Sequence, residues 1–502
     1  MLRAILSAFA LAMLASHGLA ADAKPNILFI YTDDQSHRTV GCYPESYSWV
    51  KTPQIDKLAA RGVRFANGYS GGAWCMPSRA TMLTGHYQHA VESMRMEGTY
   101  PGSEYDPAKC PFWPKTFRAN GYSTAQVGKW HTGTDTGFGR DWDYQAVWNR
   151  PKYPGNSTAY YYNYLLSTNG AEAVTVKEYS TDHYTKLAVD YIQGKNRDAA
   201  KPWYLWLCYG GVHGPYTPEP RHKNQFVGEK VPVPADIYPS RPGKPDYASK
   251  MEKWVPGPNG EPIHAGKEKA RKAGKTLHES VVQVQQCVSA LDEGIGRVLE
   301  ALEASGQLKN TLVVYTADQG FAWGQHGFEH KLGPYDACMK APFIVSMPGT
   351  IPEGKVCNTP VGGIDLVPTF FAFAGLKQPW EMHGRDLTPL LKNPEAHWPH
   401  PTMMVSTYDH YGSATNTLPP KGERHNGVPW WVFLRKGDFK YIRTLEEGEI
   451  EELYDLKKDP EELNNLALDK AHDATLKEFR AATIAELKRT KAGFADKLPA
   501  VR

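Results

Sequence analysis

Acidic side chains follow two apolar runs of the sequence, at the points where buried strands are expected to end. Residues 26–31 form a short apolar run that is followed by Asp33 and Asp34, and residues 311–316 form another that is followed by Asp318 and Gln319. Continuous apolar runs of this length are typical of parallel strands that are buried on both faces. A single acidic pair in a loop is ordinarily a turn or a helix cap, but two such pairs in one sheet point to a shared site. All four side chains are oxygen donors, so the pattern favours Ca²⁺ or Mg²⁺ over zinc.

Cys75 stands at the start of an expected helix. Pro77 falls in the first turn of that helix, and Arg79 follows one turn later. The partial positive charge at a helix N-terminus and a nearby guanidinium both favour an anion, which is either a nucleophile or an anionic substrate. The residues alone therefore indicate a reactive cysteine beside a metal site.

Residues 75–85 resemble the signature of type I sulfatases, which belong to the alkaline-phosphatase-like superfamily. The segment reads Cys-Met-Pro-Ser-Arg-Ala-Thr-Met-Leu-Thr-Gly, and the family pattern is Cys-x-Pro-Ser-Arg-x-x-x-Leu-Thr-Gly. Other family segments follow in order: Gly-Lys-Trp-His ending at His131, a His-x-Pro loop at His213, the acidic strand end at Asp318, and a C-terminal segment at residues 452–467. The resemblance spans residues 25–467.

This resemblance implies a formylglycine-dependent sulfuric ester hydrolase. In the family, a maturation enzyme converts the signature cysteine to formylglycine (3-oxoalanine), so Cys75 would attack sulfur as a hydrated aldehyde. The second hydroxyl of the hydrate lets a base expel sulfate after transfer and regenerate the aldehyde. The resemblance also implies one Ca²⁺ per chain, with the ligands Asp33, Asp34, Asp318, Gln319 and the modified residue 75.

Five further residues match catalytic positions of the family. The resemblance implies that Arg79 and Lys129 stabilise the oxyanion of the nucleophile. It makes His131 the base of the elimination step and His213 the acid toward the leaving alcohol. Lys331 would contact the sulfate together with His213.

Three positions leave alternatives open. The family commonly has Asn where Gln319 stands, so either the strand end lies slightly farther back or Gln319 contacts the sulfate or the metal less directly. Asp318 is therefore the safer metal ligand. Lys331 has a competitor in the nearby Lys340, which better fits the strand after the site. His326 is a candidate for the wall of the pocket, with an ordinary loop residue as the alternative.

Strands that alternate with helices predict an α/β fold. With the resemblance, the expected architecture is a large mixed, mostly parallel sheet sandwiched between helices (alkaline-phosphatase-like), plus a smaller C-terminal α+β domain with an antiparallel sheet. A Pro- and His-rich break at residues 393–401 separates the two parts. The expected domains are a signal peptide at 1–20, a catalytic sulfatase domain at 21–395 and the smaller domain at 396–502.

Composition and the N-terminus indicate an exported protein. The chain has 502 residues and a formal charge of +3, which gives no global attraction to nucleic acid or to a membrane. A basic Arg3, an apolar run at residues 4–15 and small residues up to Ala21 have the pattern of a secretory signal peptide, which predicts a periplasmic or secreted location and no membrane anchor. Seven cysteines are an odd count for an oxidising compartment, and their pairing stays open.

The expected substrate is a sulfated carbohydrate. Residues 132–191 are rich in aromatic residues, which either stack on sugar rings or belong to the core. Residues 408–411, Trp430 and Trp431 are further candidates for the cleft, and the basic run at 267–275 is a candidate contact for a polyanion or a solvated face. Two alternatives stand beside the sulfatase: a phosphonate or phosphate ester hydrolase of the same superfamily, and a polysaccharide-binding protein in which Cys75 is never oxidised.

Overall fold

The computed structural model describes residues 24–91, 105–266, 275–407 and 416–502. The expected signal peptide, nearly all of the basic run at 267–275 and the segment at 408–411 lie outside the described residues. Within them, no helix combines the length and the apolar character that crossing a membrane requires.

The strands and helices alternate along most of the chain. The strands are β1 (Asn26–Thr32), β2 (Val63–Phe65), β3 (Gly68–Tyr69), β4 (Ser123–Lys129), β5 (Tyr144–Trp148), β6 (Tyr164–Thr168), β7 (Val174–Val176), β8 (Trp203–Cys208), β9 (Trp254–Pro256), β10 (Pro262–His264), β11 (Thr311–Ala317), β12 (Phe343–Ser346), β13 (Lys355–Cys357), β14 (Val361–Gly362), β15 (Thr402–Ser406), β16 (Arg424–His425), β17 (Val428–Pro429), β18 (Trp431–Lys436), β19 (Phe439–Thr444) and β20 (Glu452–Asp455). The helices are α1 (Pro53–Ala60), α2 (Cys75–Thr84), α3 (Pro114–Ala119), α4 (Ser180–Ile192), α5 (Asp246–Ser249), α6 (Leu277–Ala304), α7 (Asp336–Met339), α8 (Leu366–Phe373), α9 (Thr388–Lys392) and α10 (Asp473–Arg489).

Ten strands form one sheet, in the order β13-β2-β12-β11-β1-β8-β4-β5-β6-β7. The central strands β11, β1, β8, β4 and β5 run parallel to one another. Strand β12 on one side and strands β6 and β7 on the other pair antiparallel with their neighbours. The predicted large mixed, mostly parallel sheet is therefore confirmed.

Helices cover both faces of this sheet, which explains why its strands β1, β8 and β11 are largely apolar. In β1, Ile27 and Phe29 pack into one core with residues of α2, α3 and α8. Leu28 and Ile30 point to the other face and pack with α1, α4 and α6. Because neither face is left for solvent, polar residues collect where the strands end, and this is where the acidic residues lie.

The C-terminal part has its own antiparallel sheet, as predicted. It has the strand order β15-β18-β19-β20, and Leu476 and Phe479 of α10 pack against it. The hairpin of β18 and β19 turns at Gly437, whose φ of 58° is left-handed and favours glycine. The domain boundary near residue 395 stays a prediction.

The aromatic segment at 132–191 contributes mainly to the core. Trp142, Trp148 and Tyr160 are at most 2% exposed, whereas Phe138 is 40% exposed. Of the two alternatives for these rings, the structure favours core packing for most of them. The buried rings therefore do not form a surface that could stack on sugars.

A buried ion network joins the small sheet to the main sheet. Lys440 on β19 is fully buried, and its Nζ donates to Oδ1 of Asp336 and to Oε1 of Glu462, each over 2.8 Å. Asp336 begins α7, near the active-site loops, and Glu462 belongs to the C-terminal segment that resembles the sulfatase family. This segment therefore has a structural role, which is to neutralise a buried cation between the two sheets.

Replacing Lys440 by methionine is expected to lower the free energy of unfolding by about 3–5 kcal/mol, because it leaves the buried Glu462 carboxylate without its ion-pair partner. Asp336 keeps its longer ion pair with Arg435, at 3.3 Å. A shift of the midpoint of urea unfolding measures the effect. Lys436→Met on the neighbouring strand β18 is the matched control, since that lysine is half exposed and pairs with Glu478 at the surface, where such pairs contribute about 1 kcal/mol or less. Equal midpoints for the two variants would contradict a stabilising network at Lys440.

Candidate active site

The ends of β1 and β11 lie side by side and bring the acidic residues together. The two strands pair in parallel with Thr32 opposite Ala317, so Asp33 and Asp318 follow at the same level. The backbone N–H of Asp34 donates to Oδ1 of Asp318 over 3.1 Å, and Asp34 has a left-handed φ of 55°. Asn and Asp adopt this conformation more readily than most residues. The turn places three buried carboxylates at the carboxyl edge of the sheet.

Cys75 is the first residue of α2 and contacts this acidic cluster. Its Sγ lies 3.2 Å from Oδ1 of Asp33 and 3.0 Å from Nζ of Lys331. Burial, together with the charge of Asp33, raises the pKa of the Cys75 thiol to about 12. An unmodified thiol here is therefore protonated at neutral pH and is a poor nucleophile. All seven cysteines are free thiols, so Cys75 forms no disulfide.

The acidic cluster has the donor set of a metal site. The ligand atoms of Asp33, Asp34, Cys75 and Asp318 all lie within 4.8 Å of one another. Burial and the charge of Asp33 raise the pKa of Asp318 to about 7, because several anions in one buried site repel one another. A hard divalent cation bound by these oxygens would relieve that repulsion, so the residues fit Ca²⁺ or Mg²⁺.

Gln319 completes the cluster despite its extra methylene. Its Nε2 donates to Oδ1 of Asp34 and lies 3.7 Å from Sγ of Cys75. Its Oε1 is buried and has no hydrogen-bond partner among the described residues. Because an amide exchanges its oxygen and nitrogen by turning over, this oxygen can take the place that Nε2 occupies beside Asp34. The longer side chain therefore still reaches the cluster.

Two fully buried cations lie behind the carboxylates. Arg79 donates from Nη2 to Oδ2 of Asp318 over 2.8 Å and from Nη1 to the carbonyl of Lys129 over 3.0 Å. Lys129 forms an ion pair with Asp33. Burial opposes ionisation of Asp33, but Lys129 and the other neighbouring cations hold the pKa of that carboxyl well below its usual range. Asp33 is therefore ionised at neutral pH, as a metal ligand must be.

Lys331 lies at the cluster, and its competitor Lys340 does not. Nζ of Lys331 donates to Oδ1 of Asp34 over 2.5 Å. Lys340 instead pairs with Glu45 at 2.6 Å. His326 contacts Asp236, with Nδ1 2.7 Å from its Oδ2. Lys340 and His326 line a separate polar cavity, so the interpretation of His326 as a wall residue of the active-site pocket is wrong.

Two histidines border the cluster on the open side. His131 has a left-handed φ of 63°, and neither of its ring nitrogens has a hydrogen-bond partner in the described part of the chain. Burial, with Lys129 nearby, holds the pKa of His131 well below its usual range. Nε2 of His213 lies 3.7 Å from Oδ2 of Asp34, and burial lowers the pKa of His213 to about 4. Both imidazoles are therefore neutral at neutral pH, the form that accepts a proton.

The cluster opens into a pocket of about 430 Å³ whose walls come from both parts of the chain. The residues that line it are Trp74, Cys75, His131, Arg150, His213, His330, Lys331, Leu332, Glu423, Arg424, His425, Asn426 and Trp430. Asn426 and Gly427 join β16 to β17, and their φ angles of 49° and 86° are left-handed at both positions, as in a type I′ hairpin. This short hairpin presents His425 and Asn426 to the pocket.

Sequence reasoning found part of this wall and missed the rest. Trp430 lines the pocket as expected, whereas Trp431 is buried and donates from Nε1 to the carbonyl of Leu332 over 2.7 Å, next to Lys331. The Asn-Gly pair is a sequence signal for the hairpin, but nothing local shows that the hairpin reaches a site built from β1 and β11. Arg150 has no such signal, because it simply follows a buried strand.

Comparisons with known proteins agree with this geometry. The family described as "Sulfatase" matches residues 25–376, and the family described as "N-sulphoglucosamine sulphohydrolase, C-terminal" matches residues 324–490. An N-acetylglucosamine-6-O-sulfatase of Bacteroides thetaiotaomicron is 29% identical over an alignment that covers 92% of this chain and 86% of that protein. A solved protein in complex with its substrate D-glucosamine-2-N,6-O-disulfate is 26% identical, with a TM-score of 0.78, and covers 94% of this chain and 99% of its own.

A solved phosphonate monoester hydrolase of Agrobacterium radiobacter has the same fold, with a TM-score of 0.67 and 21% identity over 93% of this chain and 96% of its own. At that identity the likeness shows the fold alone. The "Sulfatase" match is different in kind, because it covers more than half of the chain and includes both strand ends and the helix that begins at Cys75. The chain therefore belongs to the sulfatase family of sulfuric ester hydrolases, within the alkaline-phosphatase-like superfamily.

Proposed function

We propose that this sulfatase removes sulfate from a sulfated amino sugar of the glycosaminoglycan type. One observation supports the reaction most directly: Cys75 begins a helix beside three buried carboxylates and lies 3.0 Å from Nζ of Lys331. The substrate proposal is supported by the relatives, since one is named for N-acetylglucosamine-6-O-sulfate and a solved neighbour has a disulfated glucosamine as its substrate. A pocket of about 430 Å³ is in the usual size range for small-molecule sites.

The chemistry would need two groups that the chain itself does not encode. A formylglycine formed from Cys75 would supply, as its hydrate, the hydroxyl that attacks sulfur, and a Ca²⁺ bound by Asp33, Asp34, Asp318 and Gln319 would acidify that hydroxyl and bind a sulfate oxygen. Ca²⁺ is proposed over Mg²⁺ because these four side chains and the modified residue 75 would give five oxygen donors from the protein, which is more than Mg²⁺ usually takes. The role of the maturation enzyme as a partner is part of the same proposal.

The side chains around residue 75 have separate tasks in this proposal. Arg79 and Lys129 favour the ionised forms of Asp318 and Asp33 and place positive charge beside the attacking oxygen. Lys331 lies on the pocket side of the cluster, where its ammonium binds the sulfate. His131, which is neutral and whose ring nitrogens have no hydrogen-bond partner among the described residues, accepts the proton in the elimination step.

His213 is proposed as the acid that protonates the leaving alcohol. Its imidazole is neutral in the free protein, because burial disfavours the charged form. A bound sulfate ester brings negative charge next to the ring and favours the protonated form. Nε2 of His213 lies 3.7 Å from Oδ2 of Asp34, at the cluster, and is the atom proposed to deliver the proton.

The protein is proposed to work outside the cytoplasm, in the periplasm or after secretion. The support is the signal-peptide pattern of residues 1–21. A sulfated polysaccharide is too large and too highly charged to enter a cell unaided, so an exported enzyme would meet it directly.

Release of inorganic sulfate from a panel of sulfated sugars tests the proposal. The protein would be produced together with a formylglycine-generating enzyme, and Cys75→Ala would serve as the blank. We expect sulfate from glucosamine 6-O-sulfate or its N-sulfated or N-acetylated forms, and none from the blank. Phosphate or phosphonate release without sulfate release would favour the hydrolase of phosphorus esters instead, and silence on all substrates with formylglycine present would refute the proposed reaction.

A further inference from the structure

A tyrosine outside the family motifs lies flat against the proposed acid of the reaction. The ring of Tyr160 stacks on the ring of His213, with centroids 4.1 Å apart and planes 9° apart. The Tyr160 hydroxyl lies 3.5 Å from Nε2 of His213. Tyr160 is 2% exposed. This is the closest and flattest contact that any ring makes with His213 among the described residues.

Several contacts fix Tyr160 in place. Its carbonyl accepts a hydrogen bond from Oγ of Ser180 over 2.7 Å, and its ring packs against Trp148 with centroids 4.8 Å apart. Nζ of Lys129 lies 5.2 Å from the centre of the Tyr160 ring. The ring is thus held by the main sheet and by α4, and it offers His213 a rigid surface.

His213 itself has few other constraints on the plane of its ring. Nδ1 lies 2.6 Å from the carbonyl of Gly214, which is the next residue and moves together with His213. The hydroxyl of Tyr161 donates to the carbonyl of His213 over 2.9 Å. This bond fixes the backbone, so the side-chain torsions of His213 are restrained mainly by the stacked ring of Tyr160. Rotation about these torsions would carry Nε2 away from Asp34 and from the pocket.

We infer that Tyr160 is a positioning residue for catalysis: its ring holds the imidazole of His213 in the plane that directs Nε2 to the oxygen of the leaving alcohol. The inference rests on the proposed function, because it takes His213 as the acid. Aromatic stacking contributes about 0.5–1.5 kcal/mol. A displaced catalytic group can cost about a hundredfold in rate even when the substituted residue touches no substrate.

Tyr160→Leu and Tyr160→Phe separate the ring from the hydroxyl. With glucosamine 6-O-sulfate as the probe, we expect Tyr160→Leu to lower kcat about 10- to 100-fold while KM changes less than about threefold. Tyr160→Phe keeps the stacked ring and should stay within about threefold of the parent. Tyr164→Leu is the matched control, because Tyr164 is a buried tyrosine four positions on whose hydroxyl binds His183, away from the pocket.

A double-mutant cycle with His213→Ala shows whether Tyr160 acts through His213. If it does, Tyr160→Leu costs little in the His213→Ala background, since the group that it positions is already gone. The same fold-loss in both backgrounds, or full activity of Tyr160→Leu, would overturn the inference. An equal loss in Tyr164→Leu would show general damage to the fold and would also overturn it. If the parent protein releases no sulfate, the proposed function fails first and the inference fails with it.

Discussion

Replacing Arg79 by leucine is expected to lower the rate of sulfate release by at least about 10³-fold and to destabilise the fold. Arg79 is fully buried and joins Asp318 to the carbonyl of Lys129. Without the guanidinium, the buried carboxylate of Asp318 loses the cation that pairs with it. Removing one partner of a buried ion pair lowers the free energy of unfolding by about 3–5 kcal/mol. Asp318 would then be protonated at neutral pH and would cease to be a metal ligand. The loss of charge beside the attacking oxygen adds an effect on the transition state.

Arg118→Leu provides the comparison for this variant. Arg118 donates to Asp143 over 2.6 Å, but both side chains are more than a third exposed, so the pair contributes about 1 kcal/mol or less. Sulfate release and the midpoint of thermal unfolding are to be measured for both variants. If the Arg79→Leu protein folds with a lower thermal midpoint but keeps the parental rate of sulfate release, the buried arginine has no part in the reaction.

The sequence predicts the architecture of the main sheet because three of its central strands, β1, β8 and β11, are largely apolar on both faces. The runs at residues 26–31 and 311–316 correspond to β1 and β11, and their parallel register explains why Asp33 and Asp318 converge. Apolar residues at helical spacing between residues 280 and 308 predict a helix, and the observed α6 begins three residues earlier and ends four residues earlier. The earlier start arises because a capping box at Thr276 begins the helix, and apolar periodicity does not show a capping box.

Contacts between distant parts of the chain could not be predicted in this way. The choice between Lys331 and Lys340 depends on which ammonium reaches Asp34, and the two lysines are only nine positions apart in the sequence. The outer wall of the pocket depends on how the hairpin of β16 and β17 lies against Trp74, whose ring is 4.3 Å from that of His425. The stacking of Tyr160 on His213 is of the same kind, since an aromatic residue in a buried segment has no sequence mark that separates a positioning role from core packing.

Removing divalent cations is expected to abolish sulfate release, and restoring Ca²⁺ is expected to recover it. The site collects Asp33, Asp34 and Asp318 within 4.8 Å, and a cation between them would offset their repulsion. A ligand that binds only the native state stabilises it by about 2.7 kcal/mol at a hundredfold excess over Kd. The thermal midpoint should therefore rise with added Ca²⁺ in protein that has no substrate, which is a readout independent of activity.

Two variants sharpen the metal prediction. Gln319→Leu removes the amide oxygen that is buried without a partner, so we expect its Kd for Ca²⁺, measured by calorimetry, to rise about tenfold or more, since changes near a metal commonly weaken binding 10- to 100-fold. Glu45→Gln removes a carboxylate that pairs with Lys340 in the other cavity, and its Kd should not change. Ca²⁺ binding that is equal in both variants would contradict a role for Gln319 as a ligand. Full activity and an unchanged thermal midpoint after chelation would contradict the metal site as a whole, because three buried carboxylates would then be tolerated by Arg79, Lys129 and Lys331 alone.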